Sequence, residues 1–138
     1  MSTQEIVPRD FGRVPLRRRM LARVAVAGAR LLATQSPVRI RRVLLRLRKG
    51  AVPATREQAR YARDAVMTVS LACAGREGCL PRSLATVLFC RLQGRWAAWC
   101  VGTRTVPPFG AHAWVEVAGE PVGEEHPADY FRTFFTVR

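Results

Sequence analysis

Long apolar runs are missing from this chain of 138 residues. The best candidate, residues 20–33, is interrupted by Arg23 and Arg30, so the sequence predicts no membrane-spanning helix. The first ten residues carry Glu5 and Asp10 and lack the apolar core of a signal peptide, which predicts a cytoplasmic, reducing location. In such a compartment the four cysteines are expected to be free thiols rather than a disulfide framework.

Lysine is nearly absent, and acidic residues are scarce in the N-terminal third. Lys49 is the single lysine among 23 basic residues. Residues 1–50 hold 13 basic residues and two acids, whereas residues 51–138 hold 10 basic and 8 acidic residues, so the net charges of the two parts are +11 and +2. This division predicts a basic helical segment over residues 1–50 and a core over residues 51–138. The arginines indicate either a surface for an acidic partner or the composition of a GC-rich genome.

Signatures of metal and nucleic-acid binding are also missing. The cysteines stand at positions 73, 79, 90 and 100, and no pair has the two-to-four-residue spacing of structural zinc ligands. We therefore predict no metal site and no cofactor. The arginines lack interleaved aromatic residues, and no helix-turn-helix or RNA-binding motif is present. A basic nucleic-acid- or protein-binding module without catalysis stays as the alternative function, because it would explain the charge of the first 50 residues.

The apolar spacing predicts helices first and strands afterwards. Leu16, Met20, Val24, Ala27 and Leu31 recur at steps of three or four, as on one helical face. A second stripe follows the Ser36-Pro37 start signal, and Thr55-Arg56-Glu57-Gln58 has the form of a capping box that opens a third helix toward Cys73. A fourth helix, beginning at or just after Cys79, ends near Gly94. Strands are predicted over residues 96–101, 111–117, from 121 and over 130–137, which makes the fold class α+β with an antiparallel sheet.

Cys79 is the candidate nucleophile, because Pro81 places it at or just before a helix start. There the helix dipole and free backbone amides favour the thiolate, with Arg76 and Arg82 nearby. The backbone amide of Cys79 is also a candidate oxyanion donor. The three other cysteines lie in apolar patterns and are predicted to be packing residues.

His112 is the candidate base, near the start of the predicted strand Ala111–Val117. Strand alternation puts His112, Trp114 and Glu116 on one face, with Glu116 about 13 Å away along the strand and so too far to orient the imidazole. A two-residue turn at Ala118-Gly119 would instead place Glu125 opposite His112, with Glu124 beside it. Trp114, one pleat from His112, is a candidate wall of a substrate cleft, although a buried aromatic is the alternative.

The order of these motifs resembles the lasso-peptide leader peptidases, transglutaminase-like proteins within the papain-like cysteine protease superfamily. The resemblance covers roughly residues 55–138 and depends on Gly78–Ala85, Val101-Gly102, Pro108-Phe109 and His112–Val117. It implies a Cys-His-acid triad of Cys79, His112 and the residue twelve positions after the histidine, Glu124. The family has aspartate there, so Glu125 and, more weakly, Asp129 remain open as alternative acids.

The resemblance also implies a fold, an activity and partners. The fold would be a transglutaminase/papain-like core with the nucleophile at a helix N-terminus packed on a small antiparallel sheet. The activity would be removal of the leader from a ribosomally made lasso-peptide precursor. The implied partners are that precursor, at its leader–core junction, a small leader-recognition protein and a synthetase-like cyclase.

Overall fold

The computed structural model describes residues 14–75 and 77–138, and it confirms the α+β fold class. Its helices are α1 (Leu16–Ala33), α2 (Pro37–Leu47), α3 (Arg56–Val69), α4 (Leu71–Ala74) and α5 (Cys79–Leu92). Its strands are β1 (Val52–Pro53), β2 (Arg95–Trp96), β3 (Ala98–Arg104), β4 (Ala111–Val117), β5 (Glu120–Pro121) and β6 (Phe131–Val137). A short 3-10 helix, Ala128–Tyr130, precedes β6. Among the described helices, none is both long and apolar enough to cross a bilayer.

Side-chain caps set where the helices begin. The Thr55 hydroxyl accepts a hydrogen bond from the Gln58 amide, and the Gln58 side chain accepts one from the Thr55 amide, so the predicted capping box opens α3. The third helix was expected to continue toward Cys73, and this expectation is wrong. Ser70 adopts an extended backbone and caps a separate helix, α4, by accepting a hydrogen bond from the Cys73 amide. The break ends α3 one turn early.

Helix α1 packs through a different face from the one predicted. The stripe from Leu16 through Met20 and Val24 to Leu31 is exposed, with 73% of Leu16 and 71% of Leu31 accessible to solvent. The buried face consists of small residues and two larger ones: Ala22, Ala25, Val26, Ala29 and Leu32. Small side chains let two helices approach closely, and α1 packs more extensively against α5 than against any other element. The prediction failed because the larger side chains were taken as the core face.

The main sheet has four strands in the order β5-β4-β3-β6, all antiparallel. The β3–β4 register pairs Gly102 with His112 and Cys100 with Trp114. A two-residue turn at Ala118-Gly119, as predicted, joins β4 to β5, and both residues have positive φ angles. A separate parallel pair, β1 with β2, joins Val52 to Arg95.

Helix α5 packs on one face of this sheet, and this packing fixes the position of the helix N-terminus. The indole Nε1 of Trp99 in β3 donates a 3.0 Å hydrogen bond to the Ser83 hydroxyl in the first turns of α5. Ala113 and Val115 of β4 belong to the same buried cluster as Leu84 and Val87 of α5. The start of α5 therefore lies beside the start of β4. The division at residue 50 remains a prediction, although the buried face of α1 shares this cluster.

Candidate active site

Cys79 is the first residue of α5, where its thiol is partly exposed. Gly78 precedes it as the N-cap residue, and a Cβ at position 78 would collide with the Ala72 carbonyl oxygen. The Arg82 guanidinium donates hydrogen bonds to the carbonyl oxygens of Cys73, at 3.1 Å, and Gly75, at 3.3 Å. These contacts hold the chain from α4 against the first turn of α5 and so fix the position of the thiol.

His112 lies at the second position of β4 and is buried, with 9% of its surface exposed. Its Nε2 atom is 3.2 Å from an Oε2 atom of Glu124, the one ion pair found among the described residues. The imidazole also lies close enough to the Cys79 side chain for each group to shift the pKa of the other. Because Nε2 faces Glu124, the Nδ1 atom is left for the sulfur. The three predicted residues therefore come together in the order thiol, imidazole, carboxylate.

A local change of direction brings Glu124, rather than Glu125, to His112. The β4–β5 pairing follows the predicted register from Val117↔Glu120 through Glu116↔Pro121, and the Val122 amide still donates to the Val115 carbonyl. Continued further, that register would place Glu125 opposite His112. The chain instead turns at Gly123, which has a φ of 71°, and Glu125 becomes exposed. The choice between the two acids thus depends on one glycine after the hairpin.

The Cys79 thiol is shifted toward its ionised form. The hydrogen bond from His112 is the largest cause, and it lowers the pKa of Cys79 below its usual 9.0 even though burial opposes the shift. The backbone amide of Ala113 and the positive charges of His112 and Arg82 lower the pKa further. Two of these donors belong to β4, so a thiolate requires that α5 and the sheet are packed together.

The His112 imidazole is shifted toward its protonated form. Burial opposes the charge, but hydrogen bonds to Cys79 and Glu124 and the negative charge of both raise the pKa of His112 to about 9. Burial likewise opposes ionisation of Glu124, yet His112, Arg82 and Arg63 together lower the pKa of this carboxyl below its usual 4.5. Both shifts favour a thiolate–imidazolium pair held by a carboxylate, the form required for nucleophilic attack.

Trp114 supports His112 from within the protein rather than lining an open cleft. It is 1% exposed, and its Nε1 donates a 3.0 Å hydrogen bond to Glu116 Oε1. The His112 ring stacks on both Trp114 and Phe131, with centroid separations of 5.9 and 5.0 Å. The interpretation of Trp114 as a cleft wall is corrected accordingly, and the alternative of a buried aromatic holds. A stacked imidazole has little freedom to rotate away from Cys79.

Arg63 and the Ala113 amide contribute to the site but were missed in the sequence. Arg63 lies on α3 beside Gly123, close enough that a Cβ on that glycine would collide with its guanidinium, and its charge acts on Glu124. No local pattern marks Arg63, because only the packing of α3 against the hairpin brings it near. The Ala113 amide was hidden for the same reason: its role depends on the position of α5 relative to β4.

The remaining sequence predictions concern the alternative acids, the other three cysteines, Arg76, a metal site and the oxyanion donor. Asp129 is exposed and makes no ion pair among the described residues, like Glu125. Cys73, Cys90 and Cys100 are buried, as predicted. Arg76 lies outside the described residues. Across residues 14–75 and 77–138, no three His, Cys, Asp or Glu side chains are grouped so that they could hold a metal ion. The Cys79 amide lies in the first turn of α5, where backbone amides have no intrahelical acceptor, so it remains the candidate oxyanion donor.

A cysteine at a helix start, facing a histidine on an antiparallel sheet with an acid behind it, defines the papain-like class of cysteine enzymes. The family model of the Transglutaminase-like superfamily matches residues 22–136, and the chain belongs to that superfamily. The superfamily generally comprises cysteine peptidase-like enzymes. The matched range includes most of α1, so it extends beyond the resemblance seen in residues 55–138. No curated protein and no solved structure matches the chain.

Replacement of Glu124 by glutamine is expected to narrow the pH range of activity from both sides. Without the carboxylate charge, the pKa of His112 should fall from about 9. The pKa of Cys79 should rise in turn, because the imidazolium and the thiolate stabilise each other's charge. The acid limb of a pH–rate profile therefore moves up and the alkaline limb moves down, with a rate at pH 7 lower by about 10- to 100-fold.

Glu125→Gln is the matched control, since it makes the same chemical change one residue away at an exposed position. This variant should keep the profile of the parent protein. If Glu125→Gln moved the limbs and Glu124→Gln did not, the assignment of the acid to Glu124 would be wrong. The pH dependence of Cys79 alkylation provides the same comparison without a substrate.

Proposed function

We propose that this chain is a cytoplasmic cysteine peptidase that removes the leader from a ribosomally made lasso-peptide precursor. The observation that carries the proposal is the grouping of Cys79, at the start of α5, with His112, which lowers its pKa and is itself 3.2 Å from Glu124. Membership of the Transglutaminase-like superfamily supports a cysteine peptidase-type core. The resemblance of residues 55–138 to leader peptidases supplies the substrate class and the partners, which are a leader-recognition protein and a synthetase-like cyclase.

The first half of the reaction is acylation of the enzyme. The Cys79 thiolate attacks the carbonyl carbon of the last leader residue, and the oxyanion that forms is placed near the amides at the start of α5. The peptide C–N bond then breaks, and the His112 imidazolium gives its proton to the leaving amine of the first core residue. The products of this half are a leader thioester on Cys79 and a core peptide with a free N-terminus.

The second half is hydrolysis of the thioester. His112, now neutral, takes a proton from a water molecule whose oxygen attacks the thioester carbonyl, and the C–S bond breaks. The leader departs with a new carboxylate, and the thiolate–imidazolium pair is restored. Throughout both halves Glu124 keeps its charge, fixes the tautomer of His112 and stabilises its positive form. The freed core amine is the group that a cyclase would use to close the ring.

The test is incubation of the purified chain with a precursor peptide and its leader-recognition protein, followed by mass spectrometry of the products. Cleavage predicts two fragments whose masses add up to that of the precursor plus one water. Fold alone does not fix which molecule accepts the acyl group, and the same core carries out amide transfer in some enzymes. Ligation of the leader to an added amine, with little hydrolysis, would make the chain a transferase. An unchanged precursor would contradict the proposal.

A further inference from the structure

Helices α1 and α2 form the most one-sidedly charged part of the described chain. Residues 14–55 contain 10 arginines and Lys49, and not one aspartate or glutamate. Their cations therefore have no carboxylate partner nearby in the chain. Arg42 and Arg46 are exposed and stand four residues apart on α2, a spacing at which like charges repel. An acidic partner would remove this repulsion.

A groove opens between these two helices, and we call it the α1–α2 groove. Its volume is about 650 Å³. Its floor includes Leu32 and Leu88. Its walls carry apolar side chains that are exposed to solvent, with exposed fractions of 71% for Leu31, 38% for Val43 and 36% for Leu47. The proposed catalytic cysteine lies well away from it, because Cys79 precedes Leu88 by nine residues, about 13 Å along α5.

Three arginines line the same groove. Arg39, Arg42 and Arg46 recur at steps of three and four, so they follow one face of α2 over about two helical turns. Arg39 donates a 3.3 Å hydrogen bond to Gln35. Arg42 and Arg46 form no ion pair with any described acid. The groove therefore offers an apolar floor bordered by a row of positive charges.

We propose that the α1–α2 groove binds an acidic amphipathic helix of a partner protein. Two turns of such a helix would place apolar side chains at i, i+3, i+4 and i+7 against the floor, and its carboxylates against the three arginines. A nucleic acid fits less well, because residues 14–55 contain no aromatic side chain on which a base could stack. A flat membrane surface would leave the recessed leucines of the floor uncovered.

Only the identity of the partner rests on the proposed function. Within that function, the protein that presents the helix is the leader-recognition protein, which must bring the precursor to a separate peptidase. The groove would then hold that protein away from Cys79, and a bound leader could extend toward the thiol. Docking at a distance raises the effective concentration of the substrate without changing the chemistry of the site.

The probe is a fluorescein-labelled peptide of about 15 residues with leucine at i, i+3, i+4 and i+7 and glutamate elsewhere, measured by fluorescence anisotropy. We expect Arg42→Glu to weaken its binding by about tenfold or more at physiological salt. The matched control is Arg41→Glu, which makes the same change in net charge at an exposed position of α2 outside the groove. Arg41→Glu should alter the affinity by less than about twofold. Leu31→Ser should weaken binding without any change in charge.

Several outcomes would overturn the proposal. Equal losses in Arg42→Glu and Arg41→Glu would show attraction by net charge alone, and equal binding of a peptide with glutamine for glutamate would show that charge is irrelevant. Binding to phosphatidylserine vesicles that Arg42→Glu abolishes, with no binding of the peptide, would assign the surface to a membrane. The alkylation rate of Cys79 should be unchanged in Arg42→Glu, so a docking defect is separable from a failure of the proposed peptidase.

Discussion

Replacement of Cys79 by alanine is expected to lower the rate of leader removal by about 10⁴- to 10⁶-fold. The reason is that the other three cysteines, Cys73, Cys90 and Cys100, are buried within the protein and are not available to attack a substrate. The reaction would have to proceed by direct attack of water, assisted only by binding and by the amides at the start of α5. The measurement is the single-turnover rate of fragment formation, with the enzyme and the recognition protein held in excess over the precursor.

His112→Ala is expected to cause a loss of similar size, and the double variant should be little worse than either single one. Groups that act as one unit give non-additive losses, because removal of either member already ends their joint action. Cys90→Ala is the control for loss of a cysteine, since Cys90 lies on the same helix away from the site. Normal cleavage by Cys79→Ala would end the peptidase proposal. Losses of both residues that simply multiply would show that they act independently.

The elements that carry the candidate site were predictable because their signals are local. Pro81 in a first helical turn places Cys79 at a helix start, and strand alternation places His112 and Trp114 on one face. These statements need only the backbone geometry of a few neighbouring residues. Distant elements do not alter them. The order of helices and strands follows from the same kind of signal.

The acid was predictable only in part. Counting along the hairpin leads to Glu125, and the family resemblance leads to Glu124, which the structure places 3.2 Å from His112. The count fails because the ladder ends near Val122 and the chain turns at Gly123, beside Arg63 of α3. A tertiary contact thus decides a position that local register alone cannot decide.

The prediction of which face of α1 is buried failed for a related reason. Hydrophobic size suggests that Leu16 and Leu31 face the core, whereas the close approach of α5 requires the small Ala22 and Ala29 there. The larger side chains are left on the surface, and Leu31 becomes a wall of the α1–α2 groove. A protein that exposes leucines among unpaired arginines has a surface suited to a partner. The failed prediction and the proposed docking site therefore have one cause.

Cys79 should also stand out chemically from the other cysteines before any substrate is known. Burial raises the pKa values of Cys90 and Cys100 to about 12, whereas the hydrogen bond from His112 lowers the pKa of Cys79 below 9.0. These opposite shifts mean far more thiolate on Cys79 than on Cys90 or Cys100 at neutral pH. Iodoacetamide should therefore modify Cys79 in the folded protein long before either buried thiol, as peptide mapping would show.

The pH dependence separates an ion pair from a thiol that is merely accessible. Between pH 8 and pH 6 a free cysteine loses about a hundredfold of its thiolate, and its alkylation slows accordingly. Cys79 should slow far less, because the imidazolium of His112, with a pKa of about 9, stays charged over this range and stabilises the thiolate. In His112→Ala the rate at pH 6 should fall toward that of free cysteine, with only the Ala113 amide and Arg82 still favouring the anion. A parent protein that already followed free cysteine would have no thiolate–imidazolium pair, and the nucleophile would lack the activation that the mechanism requires.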